Sequence, residues 1–275
     1  MGLAQAVKAT TTGASSVTTV AADFSTANFL AAFVTAPLSH TLSLADSQSN
    51  SWTALTVQSI NSAVKLAVFY KATPSVSATQ TFTGSLDTSD IIMVAAIGLS
   101  GRATTSPVEV SNYAVDPTLT LSHVGGATGG QTAGDDVIFL YSDDEAVSHG
   151  RSNPYTVGSG WTLSVNNGDG RFTMTGAIEY QLNVGAGSIT GTLSTGSTNT
   201  GGGYVLAVKA AAAGTVITPP VGSDTITGNQ PTVTAATNTV IQTFVARRSG
   251  ILAPDRRIIA PRERRIFLPA GLKAA

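Results

Sequence analysis

Apolar residues in this chain come in short runs and two-residue alternations, broken by Ser, Thr, Asn and Gly, and do not form a stripe of helical period. Thr53-Ala-Leu-Thr-Val57 and Val64-Lys-Leu-Ala-Val-Phe-Tyr70 are rich in β-branched and aromatic residues and bounded by turn formers, which predicts strands. Ile91 to Ile97, Val137 to Tyr141 and Tyr204 to Val208 read as buried strands. Asn28-Phe-Leu-Ala-Ala-Phe-Val34 fits a core strand better than a helix, and no segment offers a capped helix of useful length. The expectation is an all-β body extending to about residue 213.

Four landmarks recur in order within that body. Asn28 is matched by Asp136, Trp52-Thr53 by Trp161-Thr162, Tyr70 by Tyr180, and Thr83-Gly84 by Thr190-Gly191, at offsets of 108, 109, 110 and 107. Two related half-repeats follow, at about 1–115 and 116–213, joined through Val115-Asp-Pro-Thr118. Two arrangements fit: a pair of sandwiches of immunoglobulin-like size, or one jelly-roll-like β-sandwich closed about a pseudo-twofold. The short connection and the few aromatics in each half favour the single sandwich. Asn166 to Gly170 has the composition of a tight hairpin turn, since Asn and Gly tolerate positive φ.

Beyond residue 213 the composition changes. Thr218-Pro-Pro-Val-Gly222 marks a linker over 214–246 with short strand-like stretches, and 247–275 is a basic tail. Formal charge divides accordingly: residues 1–246 hold 7 basic and 14 acidic side chains, a net of −7, and residues 247–275 hold 8 and 2, a net of +6. Arginines at Arg247, Arg248, Arg256, Arg257, Arg262, Arg264 and Arg265 alternate with apolar clusters at Ile251-Leu252, Ile258-Ile259 and Ile266-Phe267-Leu268. Pro254, Pro261 and Pro269 punctuate the clusters and exclude a heptad helix, because each removes a helical hydrogen bond and clashes with the preceding turn. An extended docking segment accounts for both features. Its backbone pairs with a partner's sheet edge, the apolar side chains fill pockets, and the guanidinium groups meet carboxylates. A solvated tail, and nucleic acid held through phosphates, are the weaker readings.

Composition narrows the chemistry. Charged residues are 11% and hydrophobic residues 42%, which argues for a folded, low-charge body, and no cysteine is present for a disulfide or a thiolate metal site. The start, MGLAQAVKATTTG, has no long apolar run, so neither a signal peptide nor a membrane span is expected. Ala6 stands where a myristoylation signal needs Ser or Thr. His40, His123 and His149 are isolated in sequence and read as surface or loop residues. Asp135-Asp136 and Asp143-Asp144-Glu145 read as solvated loops without calcium-loop spacing. No Gly-x-Ser-x-Gly elbow occurs, and Gly125-Gly126 and Gly201 to Gly203 lack the Lys and helix of a phosphate loop. Trp52 and Trp161, in equivalent places, read as core residues at the start of strands, with sugar stacking as the alternative. No catalytic, cofactor or metal residues are expected.

The Asn-Phe-Leu…Trp-Thr…Val-Phe-Tyr body resembles β-sandwich proteins of tailed-bacteriophage virions. Ile226-Thr-Gly-Asn-Gln-Pro-Thr-Val233 is similar to a short module of phage virion proteins, and RRIIAPRERRIFLPA at 256–270 to the endings of phage head-associated proteins. The resemblance implies a structural, non-enzymatic protein without cofactor on the outer surface of the capsid, made in the host cytoplasm. It would be a capsid decoration, cement or head-fibre protein, commonly a trimer, docked on the major capsid protein or another virion protein. The alternative is a tail or fibre module that recognises host glycans in lectin-like fashion. A glycoside hydrolase on a sandwich is a third class, requiring two carboxyl groups across a groove.

Overall fold

A computed structural model describes residues 2–60, 63–143, 154–167 and 174–212, with the backbone alone at 117–120 and 196–197. Every element in them is a β-strand, and all pairings are antiparallel. The first seven strands are β1 (Gly2–Thr18), β2 (Phe29–Pro37), β3 (Leu42–Asp46), β4 (Thr53–Ala54), β5 (Gln58–Ile60), β6 (Val64–Ala72) and β7 (Phe82–Ser100). They make one seven-stranded sheet in the order β1-β7-β2-β6-β4, with β3 on β7 and β5 on β6. The remaining strands are β8 (Val108–Ala127), β9 (Asp136–Asp143), β10 (Thr156–Val157), β11 (Thr162–Asn167), β12 (Thr175–Gln181) and β13 (Thr190–Val208). They make a six-stranded sheet in the order β10-β13-β9-β12-β11, with β8 on β13.

The two sheets pack face to face as a β-sandwich. Phe29, Phe33, Leu66, Val68, Met93 and Ile97 of the first sheet share one buried cluster with Ile138, Leu140, Ile178, Tyr204 and Leu206 of the second. Polar contacts also cross this layer. Thr35 Oγ1 lies 2.8 Å from Ser142 Oγ, and Lys8 Nζ donates to Asn167 Oδ1 at 2.8 Å.

Each sheet also closes over its own outer face. The first part of β7 pairs with β3 and the end of β1, and its last part pairs with β2 and the start of β1. A Cβ built on Gly84 would lie 3.1 Å from Val94 Cβ and 3.2 Å from Val34 Cγ1, so the two ends of β7 are stacked layers. Between them lie Phe24, Leu30, Val34, Phe82 and Val94. In the second sheet a Cβ on Gly191 of β13 would meet the Phe139 ring at 2.5 Å, and Val137, Phe139, Tyr155, Trp161 and Leu193 form the matching cluster. This double coverage explains why β9 is buried at every position and β2 at all but its last. Such strands read as continuous apolar runs because neither face meets water.

The chain starts with a strand that its sequence does not advertise. β1 is built largely from Ala, Thr, Gly and Ser, and its side chains are mostly half-buried. Val115 to Thr118, expected as the connection between halves, lies inside β8, so a division at 115/116 cuts a strand. The passage from one sheet to the other is made between Ser100 and Val108. Pro117 is compatible with β8 because, among the described residues, that strand pairs on one side only, with β13. The Asn166–Gly170 turn lies partly, and the linker over 214–246 wholly, outside the described residues.

Candidate functional site

The docking residues expected from the sequence, from Arg247 to Leu268, lie outside the described residues. Within the sandwich, groups with chemical potential collect in three places. The first is the seam where the chain passes between sheets. Arg102 is 0% exposed, and its Nη1 lies 3.1 Å from Asp136 Oδ2 at the start of β9. Asn28 holds the same spot from the first sheet. Its Nδ2 donates to Arg102 O at 2.7 Å, and its Oδ1 accepts from Arg102 N at 2.9 Å. Arg102 Nε donates to Ser100 O at 3.2 Å. Ala210 bridges to Arg102 and Ala211 N donates to Gly101 O, so the end of the described chain is pinned here too.

Asp135 adds a second carboxyl to the seam. Burial pushes its pKa up to about 6, and the Asp135 carboxyl together with the Thr132 N–H and hydroxyl draws the neighbouring Glu109 down to about 2. Burial also raises Asp136 despite the guanidinium beside it and the Asn183 N–H that it accepts. Desolvation therefore outweighs Coulomb attraction in this pair, which is the usual balance for buried ions. Asp135 and Asp136, read from sequence as a solvated loop, are 2% and 1% exposed. The correction has a simple cause: their partners are Arg102, Glu109 and backbone N–H groups distant in sequence.

The second place is the bend of β7. His40 is 6% exposed, with Nδ1 at 2.8 Å from Asp87 Oδ1 and Nε2 at 2.9 Å from Asp90 Oδ2. A carboxylate at each ring nitrogen favours the doubly protonated ring. Hydrogen bonds to Asp90 and then Asp87 raise the His40 pKa, and both carboxyls are lowered in return. Lys65 Nζ donates to His40 O at 2.7 Å, fixing the turn after β2 against β6. His40 lies in the turn after β2, as the loop reading has it, but is buried and not at the surface. His123, expected at the surface or in a loop, lies in β8 and is fully buried, with its ring 5.5 Å from that of Tyr141. His149 lies outside the described residues.

The third place is the interior of the second sheet. Asp143 is fully buried and accepts from Tyr155 Oη at 2.8 Å and from Thr175 Oγ1. It was expected in a solvated acidic loop. Its neighbours in that loop, Asp144 and Glu145, are outside the described residues. Glu179 is 0% exposed, and one carboxyl oxygen accepts from Gly158 N at 3.3 Å while Oε2 has no partner among the described residues. Burial raises its pKa from 4.5 to about 7. A raised carboxyl favours the folded state when protonated. Its contribution is complete below about pH 4.5 and is lost as pH rises through about 7. Glu179→Gln keeps the acceptor for Gly158 and removes the charge. The variant is expected to be more stable than the parent at pH 8 by about 3 kcal/mol relative to their difference at pH 4. Urea unfolding of both proteins at the two pH values checks this, and parallel profiles would contradict it.

Trp161 is buried beside Phe139, their ring centroids 5.9 Å apart, and Trp52 packs edge-on to Phe82 at 6.1 Å. Both serve the outer cores, as their equivalent places in sequence suggest. Among the described residues no group of three or more His, Asp or Glu is arranged to hold a metal ion. No family model, no curated protein and no solved structure matches the chain.

Proposed function

We propose that the protein is a structural virion component of a tailed phage, a capsid decoration or cement protein. In this reading the sandwich projects as a stable module, and residues 247–275 anchor it to the shell or to sister subunits. The observation that carries the reading is the charge and apolar pattern of that tail: a net of +6 in a proline-punctuated segment following a chain of net −7. A cement protein works by burying area across subunit boundaries, and several copies anchored together raise the effective affinity of a modest contact. A homo-oligomer, a trimer first, belongs to the same proposal.

The body suits a scaffold role. Several of its buried acids and one of its histidines are engaged in fold-holding contacts: Asp136 with Arg102, His40 with two carboxylates, and Asp143 with Tyr155. We further read the two sheets as products of one duplicated half-repeat, related by a pseudo-twofold in a jelly-roll-like closure. Their strand orders run alike, and Thr53 pairs with Tyr70 as Thr162 pairs with Tyr180. The experiment that tests the anchor is deletion of residues 247–275. The shortened chain is expected to fold and to be lost from particles.

A further inference from the structure

The outer layer over the first sheet consists of β3, the first part of β7 and the end of β1. At one corner, three stretches of chain pass between this layer and the inner sheet. β2 ends at Pro37 and β3 begins at Leu42, so residues 38–41 lead outward. β7 leaves β3 at Leu86 and meets β2 at Met93, so residues 87–92 lead inward. β1 crosses beside them, with register shifts between Thr11 and Ser16, Ala14 opposite Asp90, and Gly13 at φ 69°. His40 ties the first two crossings together, because its ring spans from the outgoing turn to Asp87 and Asp90 on the returning strand. We infer that His40 is a proton-operated latch: its doubly protonated ring, held by two carboxylates, locks this corner of the outer layer, and loss of the ring proton releases it.

The geometry makes the latch depend on a proton. Nδ1 and Nε2 each face a carboxylate oxygen, at 2.8 and 2.9 Å. A neutral imidazole has one N–H, so one nitrogen would then turn a lone pair toward a carboxylate. Two acceptors at that distance repel, and the buried ring has little water to relieve them. Asp87 and Asp90 are half-exposed and regain water once released, so the corner opens at little cost to the acids. Leu42 and Leu86, paired in register next to the latch, are the part of the outer core that opening uncovers first.

The surrounding charges leave control with the ring and its two acids. From β6, Lys65 brings a cation to the main-chain side of the turn, through His40 O. Thr88 Oγ1 of β7 sits 3.2 Å from Nδ1, and the neighbouring stretches Thr10 to Ala14 of β1 and Leu42 to Ala45 of β3 carry no charge. Asp46, at the far end of β3, is bonded to Gln48 and Asn50 instead. Hydrogen bonds to Asp90 and then Asp87 raise the ring's pKa above 6.5, and the ring lowers both carboxyls below 3.8. The ring's contribution is therefore complete below about pH 6.5 and is lost as pH rises through its folded pKa. That of the carboxylates is complete above about pH 3.8 and is lost as pH falls through theirs. The latch is shut in the window between and opens on either side.

The test is backbone-amide hydrogen exchange of the full chain from about pH 5 to about pH 9, read by mass spectrometry and corrected for intrinsic base catalysis. Protection of residues 41–46 and 84–90 is expected to fall about tenfold or more across the ring's titration, the scale of one hydrogen bond to a charged group. β9, in the second sheet, is expected to keep its protection. Glu179 titrates in the same range, but its effect belongs to β12 of the second sheet. Asp87→Asn leaves the ring one carboxylate, and the fall is expected at lower pH than in the parent. His40→Gln removes the titrating group, and its corner is expected to show no pH-dependent fall. Protection of β9 verifies that both variants fold. Flat protection at the parent's corner, a fall spread equally over every strand, or a fall at the parent's pH in Asp87→Asn would overturn the inference.

Discussion

Arg102→Ala is expected to destabilise the protein by about 3–5 kcal/mol, because it strands the Asp136 carboxylate in a buried seam. The guanidinium itself is not the source of a large net gain, since burial outweighs its pull on Asp136. The cost arises from removing one member of a desolvated pair. A second variant makes the distinction. Arg102→Met combined with Asp136→Asn removes both charges of the pair and keeps an acceptor for Asn183 N, so it is expected to recover most of the loss. Urea unfolding of the two proteins beside the parent reads both values. A single-variant cost below about 1 kcal/mol, the range of a surface pair, would show that the seam is solvated.

Phe139→Ala is expected to be comparably severe, about 3–5 kcal/mol. The ring sits in a socket formed by three glycines on neighbouring strands. A Cβ on Gly125, Gly191 or Gly203 would come within 2.2, 2.5 and 2.5 Å of its carbons. Tyr141 and Trp161 flank it, with centroids 5.7 and 5.9 Å away. Removing the ring leaves a cavity whose glycine walls carry no side chains able to swing in. Small residues on the other strands cannot refill it. Thermal and urea unfolding check the figure, and a loss of less than about 1 kcal/mol would mean that the outer layer collapses onto β9.

Glycine placement shows what could and could not be read from the sequence. The apolar strands were legible because β-branched and aromatic residues cluster in β2, β6 and β9, where both faces are covered. The paired landmarks were legible as a pattern: Trp52 and Trp161 precede strands that pair with Tyr70 and Tyr180. Their physical reason was not, since Gly84 and Gly191 matter only through what stacks beneath them, Val94 in one sheet and Phe139 in the other. β1 escaped notice because Ala, Thr, Ser and Gly give little alternation, although the strand is seventeen residues long.

Polar partnerships were invisible for a different reason. His40 meets Asp87 and Asp90 at separations of 47 and 50 residues, and Arg102 meets Asp136 across the passage between sheets. Isolated in sequence, each looks like a surface group, and only the fold assembles the pairs. The tail is the reverse case. Its charge, prolines and apolar clusters are legible as a pattern, and the proposed anchor rests on that pattern.

Particle occupancy tests the anchor most directly. Full-length chain and a chain ending at residue 246 are added to phage particles assembled without this protein, and copies bound per sedimented particle are counted across a concentration series. The full chain is expected to saturate its sites, and the shortened chain to need about a hundredfold higher concentration or more, the scale on which multivalent attachment operates. Equal occupancy by the two chains would contradict the anchoring role of residues 247–275.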